Sequence, residues 1–346
     1  MLRFLATALM LCVASQARAN DSIAELGTNG LILSRSDIIS MESEDLFISA
    51  DRVEVDYVFR NGSDKDVETI VAFPLPDLTG SPFSIPAIPV DSRDNFLDFT
   101  VTVGGKAVAP GLEQRAFAVG LDVTDELRAR NVPLYPFGDA ALAALAALPQ
   151  DVADQWQERG MLVIDEYDDG TGWKRVRSPY WQLKSTYWWR SVFPAGSSVR
   201  VKHRYKPSVG GTAGLAFTSD GKPGGEVYEA YKRKYCLDKS FETAVLRAAK
   251  QAPDGYPRLS ESRISYILTT GGNWAAGTIG RFKLTVDKGD PRNLVSFCGK
   301  NVVKTGPTTF EMTATDFSPE RDLDILILVP FDGNAGASGA SSRPRQ

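Results

Sequence analysis

DRVEVDYVFR, Asp51–Arg60, carries the reading of the fold. Val53, Val55, Tyr57 and Phe59 share one parity, and Glu54, Asp56 and Arg60 share the other. Apolar and charged side chains alternating with period two mark a strand with one dry face and one wet face. Asn61-Gly62-Ser63-Asp64 follows as a turn cluster, and VETIVAF, Val67–Phe73, reads as the partner strand of a hairpin. Pro74 and Pro76 then end the pairing, because proline has no donor for the ladder.

The same period recurs outward from this stretch. FLDFTVTVGGKAV reads as a hairpin turning at Gly104-Gly105. MLVIDEY and WKRVRSPYW flank a second hairpin turn, DDGTG. In YWQLKSTYWWR, Tyr180–Arg190, the residues Trp181, Leu183, Tyr187 and Trp189 share a core parity, whereas Trp188 lies with Lys184 and Arg190. SSVRVKHRYKP places Val199, Val201, His203 and Tyr205 on one face and Arg200, Lys202, Arg204 and Lys206 on the other. SRISYIL, TIGRFKLTV, LVSFC, TTFEMTA and LDILILVPF continue the pattern.

Helical signals interrupt it in two places. Between residues 116 and 160, a helix starts at Thr124, a second is capped by Asp139, and a third ends at Gly160. Ser240 caps another, running to about Gln251. The expected fold is therefore mostly β, with two β-sandwich-like units and a helical insertion in the first. The expected units are an N-terminal sandwich at 20–230 with its insertion at 116–160, and a C-terminal β unit at 231–331. A small, polar tail at 332–346 reads as disordered.

The first 19 of the 346 residues stand apart. MLRFLATALMLCVASQARA has an early arginine, an apolar run too short to span a bilayer, and Ala17-Arg18-Ala19 as a cleavage pattern. It reads as a signal peptide cut after Ala19, which places the mature chain in the periplasm or outside the cell, with no transmembrane segment. Export leaves two of the three cysteines, Cys236 and Cys298, and predicts one disulfide. Without Arg3 and Arg18 the chain keeps 37 basic against 43 acidic residues, a net of −6, which argues against nucleic acid as a partner. From Thr171 to Ser219 there are nine basic residues and no acidic one. This segment either faces an anionic partner or neutralises the acidic N-terminal strands within the fold.

Catalytic signals are sparse. His203 is the single histidine, on the apolar parity of its strand, which gives it a core reading. Two bonded cysteines and one histidine leave no zinc set, and no metal or cofactor is expected. Asp165, Glu166, Asp168 and Asp169 crowd one turn, but Tyr167 and Val176 fall where a calcium loop needs ligands, so a solvated hairpin tip is the better reading. No catalytic residue is assigned. The candidate binding surface is Trp188 with Arg200, Lys202, Arg204 and Lys206.

NDSIAELGTNGLIL, VEVDYVFRNGSDKDVETIVAFPLPD, YWWRSVFPAGSSVRVKHRYKPSVGG, YCLD and SFCGKN occur in this order. Over nearly the whole mature chain they resemble a bacterial exported family catalogued as domain of unknown function 4424. That resemblance implies an envelope setting and supplies no catalytic residues. From Val53 to Pro76 the chain is also similar to the β-sandwich domain of inter-alpha-trypsin inhibitor heavy chains, an interaction domain. The functional expectation is a periplasmic binding or envelope-assembly module that meets an anionic envelope protein or glycan through the basic strand. A glycan hydrolase using a carboxylate pair and a purely structural envelope protein are the alternatives.

Overall fold

The computed structural model describes residues 21–27, 30–82, 89 and 95–331. The expected signal peptide and tail lie outside the described residues. In chain order the strands are β1 (Ser22–Gly27), β2 (Gly30–Ser34), β3 (Ile39–Ile48), β4 (Val53–Asn61), β5 (Val67–Pro74), β6 (Leu78–Thr79), β7 (Thr100–Val103), β8 (Lys106–Val108), β9 (Gly111–Ala118) and β10 (Leu121–Asp122). They continue as β11 (Leu162–Asp168), β12 (Trp173–Pro179), β13 (Gln182–Phe193), β14 (Ser198–Tyr205), β15 (Gly210–Thr212), β16 (Thr218–Ser219) and β17 (Lys222–Pro223). The last are β18 (Leu259–Tyr266), β19 (Ile279–Asp287), β20 (Leu294–Phe297), β21 (Val303–Lys304), β22 (Thr309–Phe317) and β23 (Leu323–Pro330). Helices α1 (Thr124–Ala129), α2 (Asp139–Ala146) and α3 (Gln150–Glu158) fall between β10 and β11, and α4 (Gly225–Tyr235) and α5 (Lys239–Gln251) between β17 and β18. The protein is mostly β, as the alternation predicts.

Two sheets face each other. One has seven strands in the order β10-β9-β13-β5-β1-β2, with β6 also pairing β13; the other has eight in the order β21-β22-β19-β3-β4-β14-β7-β8. The parity read from sequence fills the space between them. Val53, Val55, Tyr57 and Phe59 of β4 are buried against Leu183, Tyr187 and Trp189 of β13 and Val201 and Tyr205 of β14 in one core. Aromatic pairs such as Phe99 on Tyr187, with centroids 4.6 Å apart, are offset contacts that add to area burial.

β5 does not pair with β4, contrary to the hairpin expectation. β4 lies between β3 and β14, and β5 lies between β1 and β13 in the opposite sheet. Asn61 explains the change of sheet. Its side chain is fully buried, its Nδ2 donates to the carbonyls of Lys65 and Phe193 at 2.8 Å, and its Oδ1 accepts from the Ser63 amide at 2.9 Å. The turn cluster is thus a corner that carries the chain from one sheet to the other, pinned to the end of β13. Asn61→Ala removes the side-chain donor to the buried Phe193 carbonyl, while the Lys65 carbonyl still accepts from Ser63 Oγ, and is expected to cost about 2 kcal/mol. Urea denaturation monitored by tryptophan fluorescence measures it.

The segment 231–331, expected as a separate unit, is divided between two sheets. β19 pairs β3 in parallel from Ile279↔Met41 to Val286↔Ile48, and β22 follows beside it. The remainder forms a four-stranded sheet, β15-β18-β23-β20. β23 is apolar on both faces for a reason: Ile325 and Ile327 enter the main core, whereas Leu326 and Leu328 pack under α4 and α5. A strand covered on both sides needs no polar parity. Cys236, just past α4, and Cys298, just past β20, form the expected disulfide. The α5 cap is Asp238 rather than Ser240: its carboxylate accepts from the Phe241 amide at 2.8 Å, and Ser240 lies inside the first turn. Similarly, Asp139 lies in the first turn of α2, after Gly138 at the cap.

The helical insertion has its own small core. Leu127, Leu145, Val152 and Trp156 close over Ala116, Leu162 and Trp181. Arg177 from β12 donates to the carbonyls of Leu145 (3.1 Å) and Leu148 (2.7 Å), which satisfies acceptors at the end of α2.

Candidate functional site

The polar parity of the eight-stranded sheet faces outward as a set of charged rows. Pairing registers place Lys202 beside Asp56, Asp56 beside Asp45, Asp45 beside Lys283, and Lys283 beside Thr313. Arg200 donates to both carboxylate oxygens of Asp56, one contact at 2.6 Å through Nε, and Lys202 Nζ lies 3.0 Å from the same group. Burial raises the Asp56 carboxyl, but hydrogen bonds from Arg200 and Lys202 outweigh it and hold the group below its ordinary range. Arg204 approaches Glu54 at 3.6 Å, and Lys206 approaches Asp98 at 3.9 Å. The basic strand and the acidic strand β4 are therefore direct neighbours. The Arg204–Glu54 and Lys206–Asp98 pairs are exposed and contribute about 0–1 kcal/mol each, whereas the bidentate Arg200 contact on the largely covered Asp56 is held more firmly.

The face also contains cations that no reading of the basic segment included. Arg281 and Lys283 of β19 line one groove of about 760 Å³ with Arg200, Ser43 and Thr315. Lys283 lies 3.5 Å from Glu311. Arg281 is exposed and has no carboxylate partner among the described residues. Its alternation with Phe282 was legible in TIGRFKLTV; its place in the same sheet as β14, with β3 and β4 between them, was not, since β19 reaches the sheet through a parallel pairing to a strand more than 200 residues earlier.

Trp188 belongs elsewhere. It projects from β13 on the outer face of the seven-stranded sheet, whereas Arg200, Lys202 and Arg204 project from β14 on the outer face of the other. Since Trp189 and Val201 point into the shared core, their neighbours point away on opposite sides. The single surface that joins Trp188 to the basic strand is corrected to two.

His203 is a core residue, as its parity implies. Tyr57, Phe73, Phe99 and Trp189 surround the imidazole at centroid distances of 5.1 to 5.4 Å. Burial pushes its pKa down to about 3, so the ring is neutral at pH 7. Asp21 Oδ2 lies 3.5 Å from Nε2, and burial, with the nearby Glu44 charge, pushes the Asp21 carboxyl well up. The crowded acids of the β11–β12 turn serve the turn itself: Asp168 accepts from the Gly170 amide and Asp169 from that of Thr171, both at 2.9 Å. No group of three or more metal-ligating side chains occurs among the described residues. No described helix is long and apolar enough to cross a membrane.

The comparisons place the chain within a family. The model described as Domain of unknown function (DUF4424) matches residues 19–326. No curated protein matches the chain. A putative nutrient binding protein from Legionella pneumophila subsp. pneumophila str. Philadelphia 1 aligns over 85% of this chain and 68% of its own, at 16% identity and a TM-score of 0.42. An M1 zinc metallopeptidase from Deinococcus radiodurans aligns over 85% of this chain and 43% of its own, at 9% identity and a TM-score of 0.25. Neither likeness is close enough to carry an argument about the site. The similarity of Val53–Pro76 to inter-alpha-trypsin inhibitor heavy chains is not supported. That stretch encodes the Asn61 corner, in which the two strands part rather than pair.

Proposed function

The chain belongs to the DUF4424 family, and we propose that it is an exported, non-enzymatic binding module that meets an anionic partner through the outer face of its eight-stranded sheet. The observation that carries this reading is Arg281. It lines a groove with Arg200, Lys283, Asp45 and Asp56; Arg200 is paired with Asp56 and Lys283 with Glu311, whereas Arg281 has no ion pair among the described residues. An exposed guanidinium without an internal partner, in a groove whose other cations are already paired, is the group available to a carboxylate or phosphate brought by another molecule. Arg200, Lys202 and Arg204 widen the field, and the loose, exposed Arg204–Glu54 pair can be exchanged on contact.

Arg281 also gives a cleaner test than the basic strand. Arg281→Glu removes no internal ion pair and is expected to leave the melting temperature unchanged while weakening partner binding about tenfold. The triple variant Arg200→Glu/Lys202→Glu/Arg204→Glu is expected to lose both binding and stability, because it strands Asp56 and Glu54 among like charges. Crosslinking capture from a native cell envelope, with residues 20–346 as bait, compares the three proteins. A partner held by the wild type and lost by Arg281→Glu supports the reading. A partner held equally by both, or none at all, removes it.

The hydrolase alternative finds no comparable observation. The Asp21 and Asp77 carboxyls are raised by burial, but Asp21 is sealed in the core, and Asp77 has Lys184 at 3.8 Å as its charged neighbour. A glycosidase acid needs a second carboxylate across a cleft.

A further inference from the structure

The Trp188 surface lies on the side of the sandwich away from the Arg281 groove. Its central contact is with Gly111, the residue opposite Trp188 in the β13–β9 ladder. A Cβ at Gly111 would come within 2.6–2.8 Å of the indole atoms Cε2, Nε1 and Cζ2. The indole therefore rests on bare backbone, and only glycine leaves room for it. One side of the ring is seated on the sheet, while the residue as a whole remains partly accessible. Ile70, Leu31 and Leu112 border the hollow with it, and Arg128 and Arg190 stand at its edge. The hollow measures about 410 Å³, within the size range of small-molecule sites.

The polar groups there are not equivalent. Arg115 is occupied by Glu113 at 3.3 Å and Asp122 at 2.9 Å, and Glu113 also accepts from the Leu31 amide at 3.0 Å. These contacts fix the wall of the hollow. Arg128 and Arg190 are different. Each has one loose carboxylate contact of 3.6 Å, with Asp125 and Glu68, and all four side chains are more than half exposed. Contacts of that kind hold a guanidinium weakly, so a bound anion can replace them. A flat apolar floor with two available guanidinium groups at its rim selects a ring that carries a carboxylate.

We infer that the hollow over Gly111 binds a small aromatic carboxylate, with the ring on Trp188 and the carboxylate between Arg128 and Arg190. The test is isothermal titration of the purified chain with 2-naphthoate and with 2-naphthamide, which share a ring and differ in charge. The acid is expected to bind about tenfold more tightly than the amide, the worth of one charge-assisted hydrogen bond. Arg128→Gln/Arg190→Gln should abolish that preference. Trp188→Leu should weaken both ligands about tenfold. Gly111→Val, which displaces the indole but leaves both arginines, should do the same. Arg281→Glu should change neither, which separates this site from the groove on the other face. Equal affinities for acid and amide, a preference that survives the double arginine variant, or no saturable binding of the acid would each overturn the assignment. So would unchanged binding in Trp188→Leu, the result expected if the indole merely covers Gly111.

Discussion

Acidification from pH 6.5 to pH 3 is expected to cost the native state up to roughly 5 kcal/mol through His203 alone, at about 1.4 kcal/mol per pH unit. The sign follows from burial. In the unfolded chain this histidine takes up a proton near pH 6.5; in the folded protein it does so only near 3. Between those values the unfolded state binds more protons, so stability falls as pH falls. Above the window the contribution is flat. Asp21 acts in the opposite sense, since its folded pKa is raised: in the range above 3.8 where it is still protonated only in the folded state, its contribution grows as pH falls. The two are separated by substitution. His203→Phe fits a site already lined by Tyr57, Phe73, Phe99 and Trp189 and should remove the acid slope attributable to His203. Asp21→Asn should steepen the acid loss. Chemical denaturation at half-unit pH steps measures the slopes independently of any constant offset. Parallel profiles for wild type and His203→Phe would show that the imidazole takes up its proton as readily in the native state as in the unfolded chain.

Loss of the disulfide is the second large effect. Cys236 and Cys298 are 62 residues apart, and the chain-entropy model assigns closure of such a loop about 4 kcal/mol. The bond joins the end of α4 to the end of β20, so it fastens the helical cover to the four-stranded sheet. Cys236→Ser/Cys298→Ser is therefore expected to loosen α4 and α5 first, because Tyr231, Tyr235, Phe241 and Val245 form a smaller cluster than the main core. Hydrogen exchange should show early loss of protection in 225–251, with β4 and β14 still protected. Uniform loss across the chain would mean that the helical cover and the sandwich unfold as one unit.

Parts of this architecture are legible in the sequence alone, and for one reason. Burial on a sheet has a period of two, and that period is written locally in β4, β13, β14 and β19. The core placement of His203, the outward placement of Trp188 and the Cys236–Cys298 bond follow from such local or compositional signals. Helix α4 is absent from the sequence expectation although Tyr228, Tyr231 and Tyr235 recur at helical spacing, because Gly210, Gly211, Gly214, Gly221, Gly224 and Gly225 crowd the run before it and favour a loop.

Tertiary structure alone decided which strands meet. Nothing local in DRVEVDYVFRNG distinguishes a hairpin turn from a corner; the difference is that Asn61 reaches the Phe193 carbonyl, 132 residues away. The parallel joining of β19 to β3 likewise depends on long-range pairing, and it set Arg281 in one groove with Arg200 of the basic strand, across β3 and β4. Trp188 and Arg200 are only 12 positions apart in sequence, yet β13 and β14 lie in opposing sheets, so the residues face opposite ways. Alternation along a strand states which side chains face outward. Which of those outward faces become one surface depends on the pairing of strands distant in sequence, and at that level this protein has two candidate sites instead of one.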